Sequence, residues 1–208
     1  MLRWSFGRRV DGLWIGIFAS EPGLSLPRVE EALHLIKTYD RLRYERLIRD
    51  LERIWVQLIP GGLAEFDSSI WACVLDPRYV LDEATAPERI AASIVHEATH
   101  ARLWRCGIGY QAELRSRVEA VCFRRERAFA AKLPNGEPIR EQADRKLAHY
   151  AKQDYWTDEA FRTRYEEGVI EVSKFIGMPG WLMRTLLAVR SLCLRCTRIG
   201  GGAAGSPD

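Results

Sequence analysis

The feature that most constrains the fold of this chain is a short motif near its centre, residues 96–100, which read His-Glu-Ala-Thr-His. Residues four apart lie one turn apart on the same face of an α-helix, so a helix can aim the imidazoles of His96 and His100 at one ion. The residues on either side are small, uncharged or apolar, as a buried metal-binding helix requires. The motif therefore predicts a buried helix that carries a metal site.

The glutamate that follows the first histidine, Glu97, suggests what the metal would do. A hydrolytic zinc site needs three protein ligands and an open position for water, whose pKa the ion lowers towards ~7. Glu97 is placed to take that water's proton and later deliver it to a leaving amine. We therefore predict a catalytic Zn²⁺ site with His96 and His100 as ligands and Glu97 as the general base.

The third ligand has three candidates, Glu113, Glu119 and Glu126, all on the helix predicted after the motif. Glu119 is preferred because its neighbours in the run Val-Glu-Ala-Val-Cys are apolar, which suits a carboxylate turned towards a cation. Glu126 stays open as an alternative ligand. A different interpretation leaves Glu119 in solvent, paired with Arg115 one helical turn earlier.

Eighteen residues separate His100 from Glu119. In this spacing the chain resembles the gluzincins, zincin metallopeptidases in which the His-Glu-x-x-His motif is followed by a glutamate ligand on a second helix. The resemblance covers residues 85–130 and implies a zinc metallopeptidase that acts on a protein or peptide substrate, with His96, His100 and Glu119 as ligands. Arg102 stands where the zincin signature has an apolar residue, and the Gly-x-Met-Glu-Asn motif of the aminopeptidases is absent. The substrate class therefore stays open.

Zincin mechanisms usually also employ a tyrosine or histidine that stabilises the oxyanion of the tetrahedral intermediate. His149, on the helix predicted after the glutamate helix, is our first candidate for this catalytic role, with Tyr155 and Tyr110 as alternatives. In such folds the strands before the zinc helix bind an extended substrate by edge pairing, which would give residues 70–75 that role.

The pattern of apolar residues and turn signals predicts an α+β fold of the zincin type. Residues 2–19 are typical of a hairpin with an Asp-Gly turn, and one long helix is predicted from residue 27 to residue 53. A capping box of the form Thr-x-x-Glu, from Thr85 to Glu88, begins the motif helix. The remaining predicted elements are strands at 55–59 and 70–75, the glutamate helix at 111–133, and a helical C-terminal portion at 138–153, 157–176 and 179–196.

Residues 1–199 form a single domain in this prediction, and the glycine-rich residues 200–208 a flexible tail. The 31 basic and 28 acidic residues give a net charge of +3 without the concentrated excess typical of nucleic-acid binders. The five cysteines form an odd set without the paired spacings of a small disulfide scaffold, which favours a reducing compartment, so we expect a cytoplasmic protein. No stretch approaches the ~20 apolar residues of a membrane span, although the helix at 179–196 could make peripheral contact with a membrane.

The sequence thus predicts a zinc metallopeptidase that hydrolyses a peptide bond. Hydrolysis of another amide or an ester would use the same ligands, because the ligand set determines water activation but not the substrate. An alternative of a different class is a binding or regulatory protein on a zincin scaffold with a structural or lost metal. Such a protein would dock protein or nucleic acid through its arginine-rich helices. Glu97 favours catalysis, since a structural site needs no general base.

Overall fold

A mixed β-sheet forms one layer of the fold in the computed structural model, which describes residues 4–19, 23–149, 153–182 and 185. Within these residues the sheet has five strands in the order β1-β2-β3-β5-β4. Strands β2, β3 and β5 are parallel, while β1 and β4 lie antiparallel at the two edges. The strands are β1 (Trp4–Val10), β2 (Leu13–Ala19), β3 (Arg53–Val56), β4 (Ala64–Asp67) and β5 (Ala72–Leu75).

The first two strands form the predicted hairpin. Asp11 and Gly12 at its turn both have positive φ angles, 49° and 91°. Such a pair is typical of a type I′ turn, whose twist matches that of the flanking strands. The register pairs Val10 with Leu13 across this two-residue turn. The hairpin is therefore confirmed for residues 4–19.

The single long helix predicted between residues 27 and 53 is wrong, because the chain forms two helices there, α1 (Ser25–Tyr39) and α2 (Arg41–Asp50). The backbone leaves helical geometry at Asp40, whose carboxylate accepts a hydrogen bond from the Arg43 backbone N–H and so caps α2. The same carboxylate forms ion pairs with Arg43 and Lys132. The apolar periodicity continues through this position and therefore could not reveal the break.

The strand that borders the motif helix was not predicted. Strand β4 lies in the glycine-containing connection between the two predicted strands, and its sequence Ala-Glu-Phe-Asp has too few apolar residues to stand out. It pairs with β5, so β5 is an interior strand between β3 and β4. The expectation that residues 70–75 bind a substrate by edge pairing is therefore wrong, because β4 covers that side and itself forms the edge.

A helical layer follows the sheet along the chain. Its central helix, α4, carries the motif. The predicted capping box is wrong, because the N-cap is Ala86 and makes no side-chain cap. Ala86 precedes Pro87, and a residue before proline disfavours helical geometry, so the helix begins one residue later than the box requires. The helices are α3 (Pro77–Leu81), α4 (Pro87–Arg105), α5 (Ala112–Ala130), α6 (Glu137–His149), a 3₁₀ turn (Gln153–Trp156) and α7 (Asp158–Phe175).

Helix α4 is buried along most of its length because it packs against α1, α2, α5 and strand β4. Ile90, Ile94 and Ala101 place its apolar side in the main core. Of the described residues, none forms a helix long and apolar enough to cross a membrane. Most of the helix predicted at 179–196, and all of the tail at 200–208, lies outside the described residues. The sheet and the helices together make an α+β fold, as predicted.

Candidate metal centre

The motif helix borders a cleft of about 630 Å³ whose walls are formed by α4, α5, the loop between them, β4 and α7. Helices α4 and α5 pack against each other, so the motif residues of one face the glutamates of the other. His96, Glu97 and His100 line this cleft from α4, and Glu119 and Glu126 line it from α5. The predicted site residues of these two helices are thus brought together.

Three side-chain donors converge at the centre of this group. The Glu119 carboxylate lies 3.2 Å from Nε2 of His96 and 3.3 Å from Nε2 of His100. Each histidine nitrogen approaches a different oxygen of the carboxylate, so Glu119 bridges the two imidazoles. Imidazole nitrogens and carboxylate oxygens are ligands that zinc takes in proteins. The three side chains therefore form a group that could hold a metal ion.

Glu119 does not form the alternative pair with Arg115. The Arg115 guanidinium instead donates to the carbonyls of Tyr110 and Trp156 and to the carboxylate of Asp158. Glu119 is buried, 7% exposed, with its carboxylate turned towards the two histidines. Glu113, the first candidate on this helix, is exposed at the start of α5.

Glu126 contacts the other nitrogen of the first histidine. Its Oε2 lies 3.1 Å from Nδ1 of His96, while Nε2 of the same ring faces Glu119. A carboxylate in this position accepts the Nδ1–H hydrogen bond and holds the ring with Nε2 towards the metal position. Glu126 is thus placed to orient a ligand, a role that the sequence did not reveal when Glu126 was considered as a ligand itself.

Glu97 is buried beside the histidines, 7% exposed. Burial and the negative charges of Glu119 and Glu126 outweigh the attraction of the two histidines and raise the pKa of Glu97 above its ordinary value. A carboxyl group with a raised pKa exchanges protons more readily near neutral pH. Glu97 therefore has the electrostatic setting of a general base and acid.

The charge around the two histidines is strongly negative. Burial opposes protonation of His96, but its hydrogen bonds with Glu119 and Glu126 and the charge of Glu97 prevail and raise the pKa of His96 to about 10. Burial likewise opposes ionisation of Glu119, but the contacts with His100 and His96 hold its pKa well below the ordinary value. Three buried carboxylates around two imidazoles attract positive charge to this point, which a bound cation could supply.

Cys122 adds a donor that the sequence interpretation missed. Its Sγ and one nitrogen each of His96 and His100 all lie within 4.8 Å of one another. Burial and the nearby carboxylate of Glu119 raise the pKa of the Cys122 thiol. Glu119, Cys122 and Glu126 are spaced three and four residues apart, which places them on one helix face. That spacing is a signal in the sequence from which Cys122 could have been identified as a further donor.

Of the candidate oxyanion donors, Tyr110 lies at the site. Its hydroxyl donates to Glu119, and its ring packs edge-on against His100, with centroids 5.4 Å apart. His149 is exposed at the end of α6 and packs against Tyr155, with centroids 5.9 Å apart. Neither His149 nor Tyr155 is among the described residues that line the cleft. The structure therefore brings Tyr110, but not His149 or Tyr155, to the candidate metal centre.

The arrangement has the parts that metal-assisted hydrolysis requires: a donor set for one ion, an adjacent carboxylate, a hydroxyl donor and an open cleft. Comparison of the chain with protein-family models, curated proteins and solved structures gave no match. The chemistry of the site is therefore inferred from its own donors and their geometry.

Proposed function

We propose that this protein is a zinc-dependent metallopeptidase with a zincin-like fold, in which Glu97 acts as the general base. The observation that carries the proposal is that the Glu119 carboxylate lies 3.2 Å from Nε2 of His96 and 3.3 Å from Nε2 of His100, which brings three zinc-binding side chains together. Glu97, the neighbour of the first histidine, lines the same cleft. A structural metal site has no need of a base in that position.

In this proposal each side chain has a defined task. His96, His100 and Glu119 would hold Zn²⁺, which would lower the pKa of a water bound to it and polarise the substrate carbonyl. Glu97 accepts the proton of the attacking water and delivers it to the leaving amine. The hydroxyl of Tyr110, which donates its one proton to Glu119 in this structure, would turn from that carboxylate and donate to the oxygen that becomes negatively charged.

A peptide substrate is favoured over another amide or an ester by the position of β4. This strand forms an edge of the sheet within the described residues, and three of its residues, Ala64, Glu65 and Phe66, line the cleft. The free N–H and C=O groups of an edge strand pair with an extended peptide. A small ester or amide would make no use of this edge.

The second candidate function is a protein with a structural metal ion, and Cys122 is the observation that favours it. If the thiol joined the two histidines and Glu119, four protein ligands would close the site and leave no position for water. The two proposals differ in the role they give to Glu97, which would be dispensable beside a closed site.

The test is to measure zinc content and peptide cleavage in the wild type and in Glu97→Gln. We expect about one zinc ion per chain in both proteins, and a loss of kcat/KM of about 10²–10⁴ in the variant on a proteome-derived peptide library. Glu113→Gln, which removes an exposed carboxylate from α5, is the matched control and should leave both quantities unchanged. Full zinc content with no cleavage by the wild type would reject the peptidase and support a structural metal site.

A further inference from the structure

One basic side chain in the cleft stacks on two aromatic rings and has a buried N–H donor with no partner among the described residues. Arg164 of α7 lines the cleft. Its guanidinium lies over the ring of Tyr155 at 3.9 Å from the centroid and over that of Phe161 at 4.7 Å. Stacking on aromatic rings fixes the plane of the guanidinium, and its N–H groups point along that plane. This is the geometry in which arginine binds a carboxylate through two parallel hydrogen bonds.

The Nη2 atom of Arg164 is buried and has no hydrogen-bond partner among the described residues. A charged donor that is removed from water without a partner destabilises the folded protein. The other two basic residues that line the cleft already have contacts. Arg89 lies close enough to Tyr79 to lower the pKa of that hydroxyl against the effect of burial, and the Lys146 ammonium lies 5.0 Å from the ring centroid of Phe123. Among the basic side chains that line the cleft, Arg164 thus has a buried N–H donor for which the described residues provide no acceptor.

The backbone of α7 fixes Arg164 at one end of the edge strand. The loop that leads into β4 approaches so closely that a Cβ added at Gly61 would lie 2.7 Å from the carbonyl oxygen of Arg164. Gly61 has φ +81°, and a Cβ added at Gly168, one turn further along α7, would lie 1.8 Å from the Gly61 nitrogen. Two glycines therefore allow this contact, and it places Arg164 beside the amino-terminal end of β4.

We propose that Arg164 is a specificity residue that binds a carboxylate on the C-terminal side of the bond to be cleaved. The proposal rests on the peptidase function proposed above. A peptide that pairs antiparallel with β4 has its C-terminal end beside the strand's amino-terminal end, where Arg164 lies. The positive charge there matches a carboxylate and repels an amino terminus. The carboxylate comes either from a Glu or Asp side chain or from the free C-terminus of a short peptide.

The contact between Phe161 and Tyr110 connects this subsite to the metal centre. Their ring centroids are 6.0 Å apart, and Tyr110 in turn contacts Glu119 and His100. Arg164, stacked on Phe161, is therefore separated from the ligands by two aromatic rings. It binds substrate beside the metal centre and does not touch the reacting atoms.

The experiment uses four fluorogenic peptides built on the library peptide that the wild type cleaves best. They carry Glu or Gln on the C-terminal side of the cleaved bond, each with a free or an amidated C-terminus. We expect kcat/KM to be about 10- to 100-fold higher for the peptides with the recognised carboxylate, as for a hydrogen bond between charged groups. The Glu-against-Gln and acid-against-amide comparisons show which source of carboxylate is used.

Arg164→Met, which keeps an apolar chain over the rings, should abolish this preference, so that kcat/KM becomes the same for all four peptides. Arg162→Met, an exposed arginine two residues earlier on the same helix, is the matched control and should retain the preference. Equal cleavage of all four peptides by the wild type, or a preference that survives in Arg164→Met, overturns the subsite and leaves the peptidase standing.

Binding separates this proposal from the peptidase itself. Fluorescence anisotropy with zinc-loaded Glu97→Gln measures recognition without turnover, on peptides that carry the same four variations in a fixed sequence chosen without reference to cleavage. Tighter binding of the carboxylate peptides that is lost when Arg164→Met is added supports the subsite even if the wild type cleaves no peptide, a result that would reject only the proposed activity. Binding that does not depend on Arg164 overturns the subsite.

Discussion

At the scale of single residues, the open question is whether Glu119 or Cys122 completes the ligand set with the two histidines. Each Glu119 oxygen lies within 3.3 Å of one histidine nitrogen, and the Cys122 sulfur lies within 4.8 Å of a nitrogen of each histidine. Both side chains are thus within reach of an ion held by the histidines. Glu119 carries its negative charge readily, while burial raises the pKa of the Cys122 thiol. The charge therefore favours Glu119.

We therefore predict that Glu119→Gln weakens zinc binding more than about a hundredfold, beyond the usual effect of losing a group that only orients a ligand. Cys122→Ser should bind zinc as the wild type does and keep peptide cleavage. Competition with a chromophoric chelator measures both affinities at one pH. If Cys122→Ser loses zinc while Glu119→Gln keeps it, the ligand set is two histidines and the cysteine.

Among the elements, the junction of α1 and α2 depends on one buried carboxylate. Asp40 accepts hydrogen bonds from the Arg43 backbone N–H and side chain and pairs with Lys132 at 2.9 Å. Burial opposes its ionisation, but Lys132 and Arg43 outweigh burial and hold the pKa of Asp40 below its ordinary value. Relative to the protonated form, the ionised carboxylate is therefore more stable in the folded chain than in the unfolded chain.

We predict that Asp40→Asn, which keeps an oxygen for the cap but removes the charge, lowers the free energy of unfolding at pH 7 by about 1 kcal/mol. Because the folded pKa is depressed, the contribution is fully present above the unfolded pKa of about 3.9 and is lost as the pH falls through the folded pKa. Urea unfolding of both proteins between pH 7 and pH 3 measures the difference, which should shrink in acid.

Glu45→Gln on α2 is the matched control, because Glu45 forms only an exposed ion pair with Arg41. It should change the free energy of unfolding by no more than a few tenths of a kcal/mol. A difference between the wild type and Asp40→Asn that is constant with pH would show that the charge of Asp40 is not what stabilises the junction.

The elements also show which parts of the fold were readable from the sequence. The Asp-Gly turn and the two histidines four residues apart are local signals, and each predicted its element. The break at Asp40 and the edge strand β4 depend on partners far along the chain, Lys132 in one case and β5 in the other. No local pattern contains that information, so the periodicity predicted one helix and the polar strand was overlooked.

For the whole molecule, the difference between local signals and contacts distant in the chain also explains which site residues were predicted. The sequence brought His96, His100 and Glu119 together because helix geometry and a resemblance supplied their spacing. It could not place Tyr110 against Glu119 or Arg164 at the end of β4, since these contacts depend on how a loop and α7 fold back over the cleft. His149 was predicted from its position after the glutamate helix, but in the structure it lies at the exposed end of α6.

The stability of the whole domain should depend on the metal ion, because the centre joins α4 to α5 and concentrates three buried carboxylates, Glu97, Glu119 and Glu126. An ion that binds only the folded state adds about 4 kcal/mol when its concentration is a thousand times its Kd. For a chain of this size that corresponds to a rise in Tm of about 10 °C.

We therefore predict that EDTA lowers the Tm of the wild type by about this amount in a calorimetric scan and that added zinc restores it. Glu119→Gln should shift by no more than about 4 °C at the same zinc concentration, because a site weakened a hundredfold adds only about 1.4 kcal/mol. If the wild type unfolds at the same temperature with zinc and with EDTA, these helices are not held by a metal ion, since a ligand that binds the folded state must raise its Tm.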